Sequence, residues 1–285
     1  MTLPFIEAHY ISARASFEES RAVILGCPFD GTASFRPGAR FGPSAIRRAS
    51  WGIETYSPYL KRDLAQVSLH DMGDLDLPLG DKAVAFQWIR KALEQILGAR
   101  KFPILLGGDH LVTLPIIEEV LRSYPDLHLL HLDAHADMRE EYLGETLSHS
   151  TVMRKITGFL DPQRLHQIGI RSGTEEEFQQ AKGMKSIVPL NGPSLRNLVK
   201  RLKGKPVYVS LDLDVIDPGS LSGVGTPEPG GISFREFLSL LKVLQSLRVI
   251  GFDIVELTPD YDPTQVSSVT ASVILREMIL SFCHR

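Results

Sequence analysis

Short apolar runs alternate with helix-patterned stretches along most of this chain, and that alternation restricts the fold more than any other feature. Ala22-Val23-Ile24-Leu25, Phe102 to Gly107, Leu127 to Asp133, Leu165 to Ile170, Ser186 to Leu190, Val207 to Asp212 and Val249 to Glu256 read as buried strands. Between them lie helical stretches: Pro43 to Arg48, Lys82 to Leu97 (apolar at Val84, Trp88, Leu93, Ile96 and Leu97), Thr113 to Tyr124 with Thr113 as a cap, Glu175 to Lys182, and Ser194 to Leu202. His149 to Ile156 is a shorter candidate. Ser233-Phe234-Arg235-Glu236 has capping-box spacing and opens a helix through Leu247, and Val266 to Leu280 is the last. Repeated βα units with apolar strands predict a parallel α/β sheet covered by helices on both faces. No linker or repeat divides the chain, so residues 1–285 are expected to form one domain.

In such a sheet, ligands collect at the carboxyl ends of the strands. Four predicted strands here end in polar groups: His110 in Gly107-Gly108-Asp109-His110, Asp133 in Asp133-Ala134-His135-Ala136-Asp137, Asp212 in Asp212-Leu213-Asp214, and Glu256. In an extended segment Asp133, His135 and Asp137 would share one face. A histidine after two glycines is ordinarily a loop residue, and Asp-Leu-Asp alone is an acidic turn. Carboxylates beside a core are costly unless paired or metal-bound, so together these residues predict a metal site. His110, Asp133, His135, Asp137, Asp212 and Asp214 are too many donors for one tetrahedral zinc. They suit two divalent ions sharing bridging carboxylates, and the oxygen-rich mix favours Mn(II). Four carboxylates balance two such ions, and a bridging hydroxide leaves a negative cluster suited to a cationic substrate. Glu256 could hold a planar cation through a bidentate fork or pair with an internal arginine. His149, twelve positions after Asp137, could shuttle protons or merely start a helix.

Other features receive plainer readings. Arg36 and Arg40 sit in a Gly/Pro-dense loop, where they pin the loop to carboxylates or reach a site rim or subunit contact. Asp74 and Asp76, in Gly73 to Gly80, read as a solvated loop. His70, His128, His166 and His284 are taken as structural; His131 shares strand parity with Asp133 and is taken as core or as support behind the site. The formal net charge of -3 offers no basic field for nucleic acid or an anionic membrane, and no apolar run reaches bilayer length. Met1 to Ser20 contains Glu7, Glu18 and Glu19 and lacks the apolar core of a secretory leader. Cys27 and Cys283 form no disulfide framework, and a reducing cytoplasm is the expected setting.

Gly107 to His110, Asp133 to Asp137, and Ser210-Leu211-Asp212-Leu213-Asp214-Val215-Ile216-Asp217-Pro218 resemble the three metal signatures of the arginase/agmatinase (ureohydrolase) family. Phe35 to Pro43, Gly225 to Gly231 and Val255 to Pro259 resemble its other signatures, so the likeness spans nearly the whole chain. Glu54 to Leu60, Ser148-His149-Ser150-Thr151 and Gly169 to Gly173 are most similar to bacterial agmatinases. The resemblance implies a three-layer αβα fold with a sheet of about eight strands, two Mn(2+) ions, and a homotrimer or homohexamer. It implies one ion on His110, Asp133, Asp137 and Asp212, and the other on Asp133, His135, Asp212 and Asp214. Glu256 would receive the guanidinium, and His149 would act as acid/base or proton shuttle. The implied reaction is hydrolysis of agmatine to putrescine and urea, with guanidinobutyrate, arginine or aminopropylagmatine as alternative substrates; an inactive metal-binding assembly subunit is the alternative from another class. Arginases carry Asn and Ser residues after the Asp-x-His-x-Asp motif; Met138 to Glu145 here is acid-rich and has no Asn, which favours a substrate tail ending in an ammonium.

Overall fold

A computed structural model describes residues 5–6, 9–78 and 80–283. His284, and the parts of the N-terminal stretch and the 73–80 loop at residues 1–4, 7–8 and 79, lie outside the described residues. In chain order the elements are β1 (Phe5–Ile6), β2 (Ala22–Cys27), α1 (Gly42–Ser50), β3 (Tyr56–Ser57), β4 (Arg62–Asp63), β5 (Leu69–Leu75), α2 (Lys82–Gly98), β6 (Phe102–Gly107), α3 (Thr113–Ser123), β7 (His128–Leu132), α4 (Val152–Ile156), β8 (Leu165–Ile168), α5 (Glu175–Met184), β9 (Ile187–Val188), α6 (Gly192–Leu202), β10 (Pro206–Asp212), α7 (Phe234–Leu244), β11 (Arg248–Val255) and α8 (Val266–Phe282). The main sheet runs β1-β5-β2-β6-β11-β10-β7-β8-β9. Eight strands are parallel, and β1 adds an antiparallel edge on β5. The expected parallel α/β architecture is therefore present. β3 and β4 form a separate small ribbon.

Helices cover both faces. Side chains of α1, α6, α7 and α8 pack one core against the sheet, and those of α2, α3 and α4 pack the other. β10, at the centre, is buried along its whole length, as a strand covered on both faces must be. Burying one aliphatic side chain contributes about 1.5–3 kcal/mol, so these two cores hold the strand ends in fixed relation. Among the described residues no helix is long and apolar enough to cross a membrane.

Three local expectations need correction. Thr113 is not a cap: a 3-10 turn at His110–Val112 precedes α3, Asp109 accepts from the Leu111 N–H, and the Thr113 hydroxyl turns inward to Asp253. α2 buries Ala85, Phe86, Ile89, Ala92, Leu93 and Ile96, leaving Val84 and Trp88 only half-buried. Asp74 is not solvated. Together with Asp71 it holds the guanidinium of Arg47, which is 1% exposed. The pair lies where a side chain on Gly26 would collide with Asp74. Arg40 does pair with Asp30, at 3.4 Å, whereas Arg36 bonds to the Ser222 carbonyl and stacks on Tyr261.

Candidate metal centre

The four strands whose ends carry the predicted residues are consecutive neighbours, β6-β11-β10-β7, in the middle of the sheet. That adjacency brings His110, Glu256, Asp212 and Asp133 together although they are far apart in sequence. His110 Nδ1 lies 3.0 Å from Asp133 Oδ2, 3.2 Å from Asp212 Oδ2 and 3.3 Å from Asp137 Oδ2. Beside it, His135 Nδ1 lies 2.8 Å from Asp214 Oδ2 and 3.6 Å from Asp133 Oδ1. Asp133 thus faces both groups. The Glu256 carboxylate accepts the His110 backbone N–H at 2.8 Å, and no arginine pairs with it among the described residues.

The convergence around Asp133 is not produced by strand alternation, as the sequence pattern suggested. β7 ends at Leu132, and Asp137 adopts a left-handed backbone with φ of 54°. Its carbonyl accepts the N–H groups of Met153 and Arg154 at the start of α4. The preceding Asp133 is tied by the His135 N–H to Oδ1, and Asp212 Oδ1 accepts the Asp214 N–H at 2.8 Å. Glu256 is also left-handed, with φ of 68°. Gly108 permits the approach of the His110 turn: a Cβ there would stand 2.0 Å from the Phe29 carbonyl oxygen.

Hydrogen bonds define the His110 tautomer. Ser210 Oγ donates to Asp253 Oδ1 at 2.7 Å, so it accepts from His110 Nε2–H at 2.9 Å. In the neutral imidazole, Nδ1 then turns a lone pair toward three carboxylate oxygens, and this buried atom has no hydrogen-bond partner. Such a set is satisfied either by protons or by a cation placed between the donors, and one nitrogen with three carboxylate oxygens is the chemistry of a metal site. The titration tendencies of the residues agree. Burial, with Asp133 and Asp214 nearby, holds the Asp137 and Asp212 carboxyls well above their ordinary range. Burial would lower His110, but Asp133 and Asp212 push it well up. Burial likewise opposes ionisation of His135, yet Asp214 and Asp133 push it to about 12. Without a metal the carboxylates draw protons onto both imidazoles, and the donors of the group are nitrogen and oxygen without a thiol. His110, His131, Asp133 and Asp137 form one cluster that could hold an ion, and Asp133, His135 and Asp214 form a second.

His149 starts the 3-10 turn before α4. Its backbone N–H donates to Thr32 Oγ1 at 3.0 Å, and Thr32 Oγ1 in turn donates to the buried Asp109 at 2.8 Å. Ser34 Oγ lies 3.3 Å from His149 Nε2. Burial, opposed by the Thr32 bond and aided by His110 and His135, lowers this imidazole to about 4. It belongs to the same electrostatic neighbourhood as the cluster but ligates nothing in it. The edge of the Tyr142 ring meets it at 5.9 Å. The acid-rich segment reads differently in three dimensions. Glu140 is held by Arg154, and Lys82 reaches Glu145 at 2.6 Å, so only Glu141 of the three remains unpaired among the described residues.

Several supporting residues escaped the sequence reading. Thr32, Ser34 and Asp109 have no local signal for their roles. Ser210 shares strand parity with Asp212, and Asp253 is a charge inside the apolar run Phe252 to Val255; both were detectable. His131 behaves as its parity suggested, with Nε2 2.7 Å from Asp133 Oδ2. His70 bonds to the Ala15 carbonyl, and His128 stacks on His166.

A parallel α/β sheet with a thiol-free, carboxylate-rich double cluster at its carboxyl ends defines an enzyme of the binuclear metal class. The chain matches the Arginase family over residues 20–281 and belongs to it. It is 45% identical over 278 residues to the agmatinase of Bacillus subtilis and 44% identical over 277 residues to that of Halalkalibacterium halodurans, covering 96% of both chains in each comparison. The agmatine ureohydrolase of Thermoplasma volcanium superposes with a TM-score of 0.86 at 30% identity, covering 97% of this chain and 94% of that one.

Proposed function

We propose that this protein is an agmatinase, a hydrolase of linear amidines that converts agmatine to putrescine and urea. One observation carries the reading: the His110 Nδ1 lone pair and three carboxylate oxygens converge on one buried point, with Glu256 beside it at the next strand end. One divalent ion would be held by His110, Asp133, Asp137 and Asp212, and the second by Asp133, His135, Asp212 and Asp214. Manganese suits this oxygen-rich set better than zinc. When bound, the ions supply a water of lowered pKa, a nucleophile available at neutral pH.

Glu256 binds the guanidinium, its position fixed by the bond from the His110 N–H. Holding the cation in one plane presents its carbon for attack. Asp137 would take the proton that the water gives up on attack and pass it to the nitrogen that leaves as the amine. His149, held by Thr32, relays protons between that amine and solvent. The same reading takes the whole chain as one functional domain, in the cytoplasm, assembled as a homotrimer or homohexamer.

The test is urea release from agmatine, arginine and guanidinobutyrate, with and without added Mn(2+). Agmatine is expected to be the best substrate. No urea from any of them would defeat the assignment, and preference for guanidinobutyrate would move the protein to a neighbouring specificity.

A further inference from the structure

Behind the bridging carboxylate of the proposed centre lies a second row of polar side chains, all buried. It crosses three parallel strands. Ser186 precedes β9, Gln167 lies in β8, and His131 in β7, where His131 and Gln167 are direct partners in the ladder. Ser186, Gln167 and His131 are each 0% exposed, and Asp133 is 1% exposed. Such groups must satisfy one another, because water does not reach them.

The hydrogen positions along this row follow from two fixed points. The Ala136 carbonyl can only accept, and the Gln167 side-chain atom 2.8 Å from it must therefore be the amide nitrogen. The Gln167 oxygen then faces Ser186 Oγ, which donates to it at 2.8 Å. The second amide hydrogen of Gln167 points to His131 Nδ1 at 3.1 Å, which makes Nδ1 the acceptor. A neutral imidazole accepting at Nδ1 carries its hydrogen on Nε2. That hydrogen is directed at Asp133 Oδ2, 2.7 Å away.

We propose that the Ser186–Gln167 pair sets His131 as an Nε2–H donor to Asp133, making His131 and Gln167 positioning residues of the metal centre and His131 not a ligand. The proposal rests on the reading that Asp133 bridges two ions. His131 lies close enough to His110, Asp133 and Asp137 to belong to their cluster, so its composition alone would admit it as a ligand. The amide decides otherwise. With its hydrogen on Nε2, the imidazole has no lone pair to offer on the side facing the cluster. Its effect is to hold one Asp133 oxygen in place, as residues behind a metal site commonly do.

Binding of Mn(2+) to the metal-free protein, by calorimetry and by counting bound ions, tests the ligand assignment. His131→Phe should still bind two ions, about 10–100-fold more weakly. Gln167→Met should weaken binding in the same direction, although it touches no ligand. Because Gln167 acts through His131, the double variant should match His131→Phe rather than multiply the two losses. A drop to one ion in His131→Phe would overturn the proposal, as would parental affinity in Gln167→Met or fully multiplicative losses. If His131→Phe does not fold, Gln167→Met still stands as the test. Nitrogen-15 NMR of histidine-labelled, metal-free protein gives an independent readout: His131 should show the Nε2–H form, and an Nδ1–H form would refute the chain of bonds. A parent that binds no ion and releases no urea would instead defeat the agmatinase reading, leaving the tautomer to be judged by NMR alone.

Discussion

Glu256 stands in a left-handed conformation, with φ of 68°, where a side chain is strained and glycine is not. Its backbone N–H is fixed to the Gly108 carbonyl at 2.8 Å, so the conformation cannot relax without losing that bond. Replacing Glu256 by Ala or by Gly removes the same carboxylate and the same bond to the His110 N–H. The difference between the two variants therefore reports the backbone alone. A left-handed L-residue costs roughly 1–2 kcal/mol, and the greater freedom of unfolded glycine offsets roughly 0.5–1 kcal/mol of that relief. Glu256→Gly should thus be more stable than Glu256→Ala by about 0.5–1 kcal/mol, the reverse of the usual order. With a urea m-value of about 3 kcal/mol/M, the midpoint should rise by about 0.2–0.3 M at fixed protein concentration. Both variants should lose at least about 10²-fold in kcat/KM, because neither can orient a guanidinium. A more stable Ala variant would refute the strain argument, and retained activity would refute the role of Glu256.

Asp212→Asn should respond oppositely in the two metal states: a higher melting temperature than the parent without metal, since a buried carboxylate beside Asp214 and Asp133 is neutralised, and a lower one with Mn(2+). A shift of the same sign in both states, or parental activity in this variant or Asp133→Asn, would exclude the binuclear mechanism. His166 is buried and, by that burial and by His128, lowered to about 3. Its folded pKa lies below the unfolded value of about 6.5, so its contribution is complete above pH 6.5 and is lost as pH falls toward 3. At pH 5 the loss is about 2 kcal/mol, and His166→Gln should flatten the acid limb of the stability curve by that amount. Gly108→Ala, whose Cβ would meet the Phe29 carbonyl, should cost about 1–3 kcal/mol and lower metal content, both measurable in one purified sample. Arg47→Met strands Asp71 and Asp74 as buried charges and should destabilise by about 3–5 kcal/mol in urea titration.

The fold was legible because apolar strands and patterned helices are local signals, and each predicted strand from Ala22 to Glu256 falls on a strand of the sheet. Helix boundaries were less so: the Asp109 cap and the 3-10 turn at His110–Val112 displaced the expected cap at Thr113. Asp74 misled because its partner, Arg47, is in another element, and nothing in Gly73 to Gly80 announces a buried pair. The residues now gathered in the cluster were legible as strand ends, since a polar group following an apolar run is visible in one dimension. What holds them was legible only in part. Strand parity marks Ser210 and His131, two positions before Asp212 and Asp133. Thr32 and Gln167 act through contacts across the fold, 117 positions from His149 in one case and 36 from His131 in the other, and no local pattern encodes them.

The two histidines nearest Asp133 show how one sheet can give the same side chain opposite duties. His110 has a hydroxyl behind it whose hydrogen is committed to Asp253, so its Nε2 must donate and its Nδ1 lone pair faces the carboxylates. His131 has an amide behind it whose oxygen is committed to Ser186, so its Nδ1 must accept and its Nε2 hydrogen faces Asp133. The ring centroids are only 5.0 Å apart, and both imidazoles are buried, so neither proximity nor exposure separates a ligand from a support. The hydrogen-bond partner on the far side of each ring does. A carboxylate-rich centre needs both kinds: lone pairs to meet cations, and fixed donors to keep Asp133, the carboxylate proposed to bridge, in place before any cation arrives. The arrangement is economical because the polar groups behind the rings come from strands β8, β10 and β11, which the sheet holds in register whether or not the centre is filled.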